Sequence, residues 1–142
     1  MTQKLSTRSV ELLTLERVAR LATADQYARP HVVPIVFVYE HPFVFTPIDA
    51  KRKSVEDWHD LRRIKNIETN GRASVLVDVY QDDWSKIAWV RVDGVAEILT
   101  KGDEHRHALN LLAGKYMQYE GMPLREAPVI RVWIEHVSEW HG

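Results

Sequence analysis

ASVLVDVYQDDWSKIAWVRVDGVAEI, residues 73–98, decides the fold. Ala73, Val75, Val77 and Val79 alternate with Ser74, Leu76, Asp78 and Tyr80, and a period of two puts each set on its own face of a strand. Gln81 to Ser85 is a polar loop with one aromatic, after which β-rich sequence runs from Ile87 to Ile98. Two strands joined by so short a loop predict sheet structure at the centre of the chain.

On the N-terminal side, Val10, Leu12, Leu13, Leu15 and Val18 among charges predict an amphipathic helix over Arg8 to Val18, capped by Ser6 or Thr7. Arg20 to Thr23, a turn at Ala24-Asp25-Gln26, and Val32 to Tyr39 then read as a hairpin. Pro34 has no amide hydrogen, so its strand must lie at an edge, be bulged, or face something other than a neighbouring strand. His41-Pro42 is a second turn signal, and Phe43 to Thr46 a third short strand. One or two helical pieces are expected between Asp49 and Lys65, followed by a stop at Asn70-Gly71; Leu61, Ile64 and Ile67 recur there at three-residue spacing.

Beyond residue 98, Gly102-Asp103 opens a helix with Ala108, Leu109, Leu112, Ala113 and Tyr116 along one face, ending before Gly121-Met122-Pro123. Val129 to Val137 is the last strand. Strands and helices do not alternate, which argues against a parallel doubly wound sheet. The expectation is one domain over residues 1–142, mainly β with an α+β composition, as an antiparallel barrel with helices at its mouth.

Composition narrows the chemistry. Nineteen basic and twenty acidic residues leave a formal charge of -1, so there is no global field for nucleic acid or anionic membranes, and an anion site must be local. The absence of cysteine excludes disulfides, thiolate metal sites and cysteine nucleophiles. The polar start and the lack of a long apolar run predict a soluble, cytoplasmic protein.

Two constellations stand out. Lys51-Arg52-Lys53-Ser54, with Arg62, Arg63 and Lys65 downstream, reads either as a solvated helix paired with Glu56, Asp57 and Asp60, or as a phosphate site where cationic heads meet free amides. Trp84 in the polar loop, and Trp89, Arg91 and Asp93 on one face of the following strand, read either as packing with an ion pair or as a cover for a flat ligand. Five tryptophans exceed what so small a core readily holds, so some are expected at a subunit interface or a ligand. The histidines form no metal motif, and no catalytic triad or phosphate-binding glycine loop is present; no metal is expected and catalytic residues stay unassigned.

The segments RVARLAT (17–23), RPHVVPIVF (29–37), Asn66-Ile67 and ASVLVD (73–78) resemble the pyridoxamine 5'-phosphate oxidase-like superfamily. Asp83-Trp84-Ser85 followed by AWVRVDG (88–94) is similar to its subgroup of coenzyme F420-dependent oxidoreductases. The resemblance implies a split β-barrel and a homodimer with cofactor sites where the subunits meet. It places the cofactor phosphate at Lys51, Arg52, Lys53 and Ser54, with Thr46 near the phosphate end. The ring system would lie along His31, Val33, Pro34 and Ile35, with Trp89 and Arg91 facing the ring or the substrate. Lys51-Arg52-Lys53 departs from the Lys-Pro-Lys of that subgroup.

The implied activity is hydride transfer from reduced F420 to a small conjugated substrate. An FMN enzyme on the same fold is one alternative. A non-enzymatic flavin or haem carrier, with His31 or His136 as an axial ligand, is another.

Overall fold

The computed structural model describes residues 4–49 and 57–142. Helix α1 (Thr7–Leu15) is capped by Ser6, whose side chain accepts from the Ser9 amide, and is followed by β1 (Ala19–Ala24), β2 (Pro30–Ile35), β3 (Val38–Glu40) and β4 (Phe43–Pro47). After a 3-10 turn at Trp58–Asp60 come α2 (Arg62–Thr69) and β5 (Arg72–Val79). A second such turn at Trp84–Lys86 precedes β6 (Ala88–Leu99), then α3 (Asp103–Lys115), α4 (Gln118–Gly121) and β7 (Val129–His141).

The described strands form one antiparallel sheet in the order β2-β1-β5-β6-β7-β4-β3. β2 and β3 are therefore the two ends of the sheet, although only Val36 and Phe37 separate them in the chain. Six strand spacings on a flat sheet would span about 29 Å, whereas that link reaches roughly 11 Å. The sheet must therefore curl until its edges face each other, giving a barrel split along the β2/β3 seam.

This break corrects the single strand expected over Val32 to Tyr39. Its cause is a tertiary contact: Phe37 is fully buried, and its amide donates at 3.0 Å to the Tyr116 hydroxyl instead of to a strand. Pro34 lies on an edge strand, with β1 as that strand's sole described neighbour. The β1–β2 turn is built by Asp25, whose carboxylate accepts from the amides of Tyr27 and Arg29 and from Arg29 Nε.

The alternation in residues 73–98 divides the sheet. Ala73, Val75, Val77, Ala88, Val90 and Val92 point into the barrel core with Leu21, Ile35 and Ile134, and Ile64 and Ile67 of α2 pack onto it. Ser74, Asp78, Trp89, Arg91 and Asp93 point outward. Strand β4 is buried on both faces, with Val44 in the barrel core and Phe45 in a second cluster with Leu109, Leu112, Tyr116 and Tyr119. Ala113 is exposed rather than part of the α3 face; the buried face turns instead through His105, Ala108, Leu109 and Leu112.

Strands β6 and β7 shift register between Asp93 and Gly94. A Cβ on Gly94 would sit 1.8 Å from the Trp133 carbonyl oxygen, so only glycine fits this approach. No described helix is long and apolar enough to cross a membrane.

Candidate functional site

A cleft of about 280 Å³ opens at the seam, lined by Pro34, Ile35, Val36, Thr46, Asp49 and Arg63 among others. Strand β2 carries its alternation into this site. His31, Val33 and Ile35 turn toward the interior, while Val32 and Pro34 face out. Because β2 is an edge, its far side is not paired in the sheet among the described residues, and Pro34 and Ile35 at its end line the cleft. Thr46 enters from β4 and is almost fully buried, and Arg63 comes from the first turn of α2.

Arg63 and His31 each hold a buried nitrogen, Nε and Nδ1 respectively, without a hydrogen-bond partner among the described residues. An unmet buried donor or acceptor costs about 1–3 kcal/mol, so such atoms are unusual unless something else meets them. Burial, followed by repulsion from Arg63 and Arg62, holds the His31 imidazole below its usual pKa. The ring is thus predominantly neutral at pH 7. Burial also lowers the Arg63 guanidinium, against the favourable charge of Asp49. Asp49 in turn accepts a 2.6 Å hydrogen bond from the Tyr119 hydroxyl, both groups being buried. Burial first, then this bond and charge, push the Tyr119 phenol far above its usual value, so it stays a donor.

The lining brings a cationic side chain (Arg63), a carboxylate (Asp49) and a hydroxyl residue (Thr46) together beside apolar Ile35 and Val36. Among the described residues no three or more His, Cys, Asp or Glu side chains gather as a metal-binding cluster.

Of the site residues expected from sequence, the cleft gathers Pro34, Ile35 and Thr46. His31 and Val33 lie on the same strand, the former under the influence of Arg62 and Arg63. Lys51, Arg52, Lys53 and Ser54 lie outside the described residues. Trp89 and Arg91 are elsewhere on the outer face, three strand spacings from β2, about 14 Å away. Arg91 donates from Nε and Nη2 to Asp93, and from Nη2 to Ser138. Burial works to raise the Asp93 carboxyl, but hydrogen bonds from Ser74 and Arg91 prevail and hold it low. Trp89 faces Trp140 across β6 and β7, and these rings with Tyr80, Trp84 and Ile87 form a second cleft of about 330 Å³.

Arg63, Asp49 and Tyr119 were not singled out as a set by the sequence. Arg63 carried a signal, since it adjoins Ile64 on a helix whose apolar positions are spaced by three. Asp49 and Tyr119 are seventy residues apart and carried none. His105, buried on α3, bonds the Ala127 carbonyl through Nε2 and is structural.

Residues 5–141 match the family model described as pyridoxamine 5'-phosphate oxidase. No curated protein matches significantly. Among solved structures, a FAD-binding protein from Mesorhizobium loti is 29% identical, with a TM-score of 0.65 over 95% of this chain and 94% of that one. HutZ, a haem storage protein from Vibrio cholerae, is 19% identical, with a TM-score of 0.72 over 98% and 95%. Rv2991, a conserved hypothetical protein from Mycobacterium tuberculosis, is 15% identical, with a TM-score of 0.74 over 97% and 86%. The last two likenesses concern the fold alone.

Proposed function

Because the chain belongs to the pyridoxamine 5'-phosphate oxidase family, we propose that it is an oxidoreductase using coenzyme F420, bound as a planar ring with an anionic tail at the seam of the barrel. The observation that carries this reading is the seam cleft itself, lined by Pro34 and Ile35 of the edge strand β2, Thr46 of β4 and Arg63 of α2. Main chain at Pro34 to Val36 would orient the ring, with Ile35 and Val36 excluding water from one face. The basic run Lys51-Arg52-Lys53 with Ser54 follows Asp49 by two residues and would grip the tail phosphate.

Bound and reduced, the cofactor supplies a hydride to a conjugated organic substrate, and the protein supplies placement and electrostatics. The sequence AWVRVDG (88–94), with its preceding Asp83-Trp84-Ser85, supports F420 over FMN. Trp89 and Arg91 lie too far from β2 to meet a ring held there in one chain. A homodimer that brings the outer face of a second copy over the seam would supply them.

A flavin reading has its own support, since the Mesorhizobium loti relative at 29% identity binds FAD. Titration of the purified protein with F420, FMN, FAD and haem, followed by fluorescence and visible absorption, separates the readings. Preferential binding of F420 is expected. Tighter binding of a flavin would replace it as the cofactor, and a Soret band on haem addition without deazaflavin turnover would remove the enzymatic reading.

A further inference from the structure

We propose that the cleft formed by Tyr80, Trp84, Ile87, Trp89 and Trp140 binds a planar, uncharged aromatic molecule, which Trp84 covers from the turn before β6. The inference goes beyond the cofactor reading and does not depend on it; that reading gives Tyr80, Trp84 and Trp140 no role.

The free ring faces are the first observation. Elsewhere in the molecule aromatic faces are occupied: Arg17 lies over Tyr116, Arg29 over Tyr27, Lys115 over Phe37 and Arg131 over Phe43. Among the described residues no cation lies over Tyr80, Trp84, Trp89 or Trp140, and no aromatic ring stacks on them. Four rings thus gather around one space with their faces unused. At about 330 Å³ that space is at the small end of ligand sites, with room for a few fused rings.

The second observation is that Trp84 is exposed on a braced turn. The Asp83 carboxylate accepts from the Ser85 amide at 3.2 Å and from the Ser85 hydroxyl at 2.7 Å, with Lys86 Nζ at 3.7 Å. The Ile87 amide donates to the Trp84 carbonyl, and the Gly142 amide to the Ile87 carbonyl. The backbone that carries the ring is therefore fixed before a ligand arrives, which lowers the entropy lost on stacking.

Charge decides the ligand class. No charged side chain lines the cleft, and the cations that flank it are paired: Lys86 with Asp83, Arg20 with Asp78, and Arg91 with Asp93. A carboxylate or ammonium on the ligand would lose water there and find no partner, whereas a flat neutral ring gains contact on its faces.

The test titrates wild type, Trp84→Ala, Trp84→Phe and Tyr80→Ala, without cofactor at pH 7, with naphthol, naphthoate and the saturated, non-planar decahydronaphthol. Binding is read from the indole N–H resonances of the five tryptophans, and each variant is checked for an unchanged melting transition. Naphthol should bind in preference to the other two and shift Trp84, Trp89 and Trp140 but not Trp58 or Trp133. Trp84→Ala is expected to weaken it roughly tenfold, the loss of one stacked ring, and Trp84→Phe should recover part of that. Equal binding of naphthoate or decahydronaphthol, unchanged affinity in Trp84→Ala, or no binding would overturn the assignment. A dimeric wild type that binds no naphthol, with Trp84→Ala monomeric, would make the cleft a contact between copies and overturn it as well. Naphthol binding by a protein that takes up no F420, FMN, FAD or haem would leave this site standing and remove the cofactor reading.

Discussion

The Tyr116 hydroxyl sits against both backbone polar groups of Phe37, accepting from its amide at 3.0 Å and lying 3.0 Å from its carbonyl oxygen, with the Arg17 carbonyl at 2.9 Å. One side chain from the end of α3 thus serves the point where the chain leaves one sheet edge for the other. The main chain there has given up strand pairing and is buried. A buried amide in that position needs a partner, and Tyr116 provides it.

Replacing Tyr116 with Phe keeps the ring and removes the hydroxyl. A buried N–H then loses its partner, so a loss of about 1–3 kcal/mol in unfolding free energy is expected from urea titration. Because Val36 and Ile35 line the cleft, cofactor affinity should fall with it. A variant as stable as wild type would mean that the seam is held by other contacts.

Gly94→Ala tests the register shift. The added methyl meets main chain of β7 rather than a movable side chain, so backbone must shift in two strands. Overpacking of this kind costs about 3 kcal/mol. Thermal unfolding should show a lowered midpoint, and an unchanged one would contradict the close approach to Trp133.

Lys115 supplies a pH dependence. Its Nζ lies 3.9 Å from the Phe37 ring centroid and has no hydrogen-bond partner among the described residues. Burial, then repulsion from Arg17, lower its pKa to about 8 against the pull of Glu16. The unfolded chain holds this proton up to about pH 10.4. Protonation is therefore weaker in the folded state, and stability should rise as pH increases from about 8 toward 10. Lys115→Met should flatten that rise, as read from urea midpoints at several pH values; parallel profiles for the two proteins would show that this ammonium is not burdened by folding.

Trp89 tests the proposed dimer. None of the tryptophans is fully buried, and Trp84 and Trp140 are 73% and 48% exposed next to Trp89. Aromatic anchors of this kind carry about 2 kcal/mol or more at an interface. Light scattering after size exclusion should show wild type as a dimer and Trp89→Ala shifted toward monomer at micromolar concentration, with cofactor affinity falling in step. A monomeric wild type would leave the outer face as a site for another ligand.

Much of the fold is legible because burial on one side of a strand imposes a period of two, and residues 73–98 keep it through two strands. The helical face at Leu61, Ile64 and Ile67 is legible for the same reason at the helical period, and all three are buried. The face of α3 was legible except at Ala113, where a small apolar residue is tolerated in water. The strand over Val32 to Tyr39 misled, because Val36 and Phe37 are apolar whether the chain pairs or crosses. No periodicity distinguishes a buried strand from a buried crossing.

By itself the sequence placed most of the strands and helices, restricted Pro34 to an edge, a bulge or a place not facing a neighbouring strand, and carried the family resemblance, since these depend on local pattern and on residues read in order. Tertiary structure alone decided that residues 35 and 38 close a barrel across seven strands, that Arg63, Asp49 and Tyr119 share one corner, and that Trp89 stands far from Pro34. Those are relations between segments distant in sequence. They are set by how a curled sheet brings its edges and helices together, which no spacing along the chain encodes.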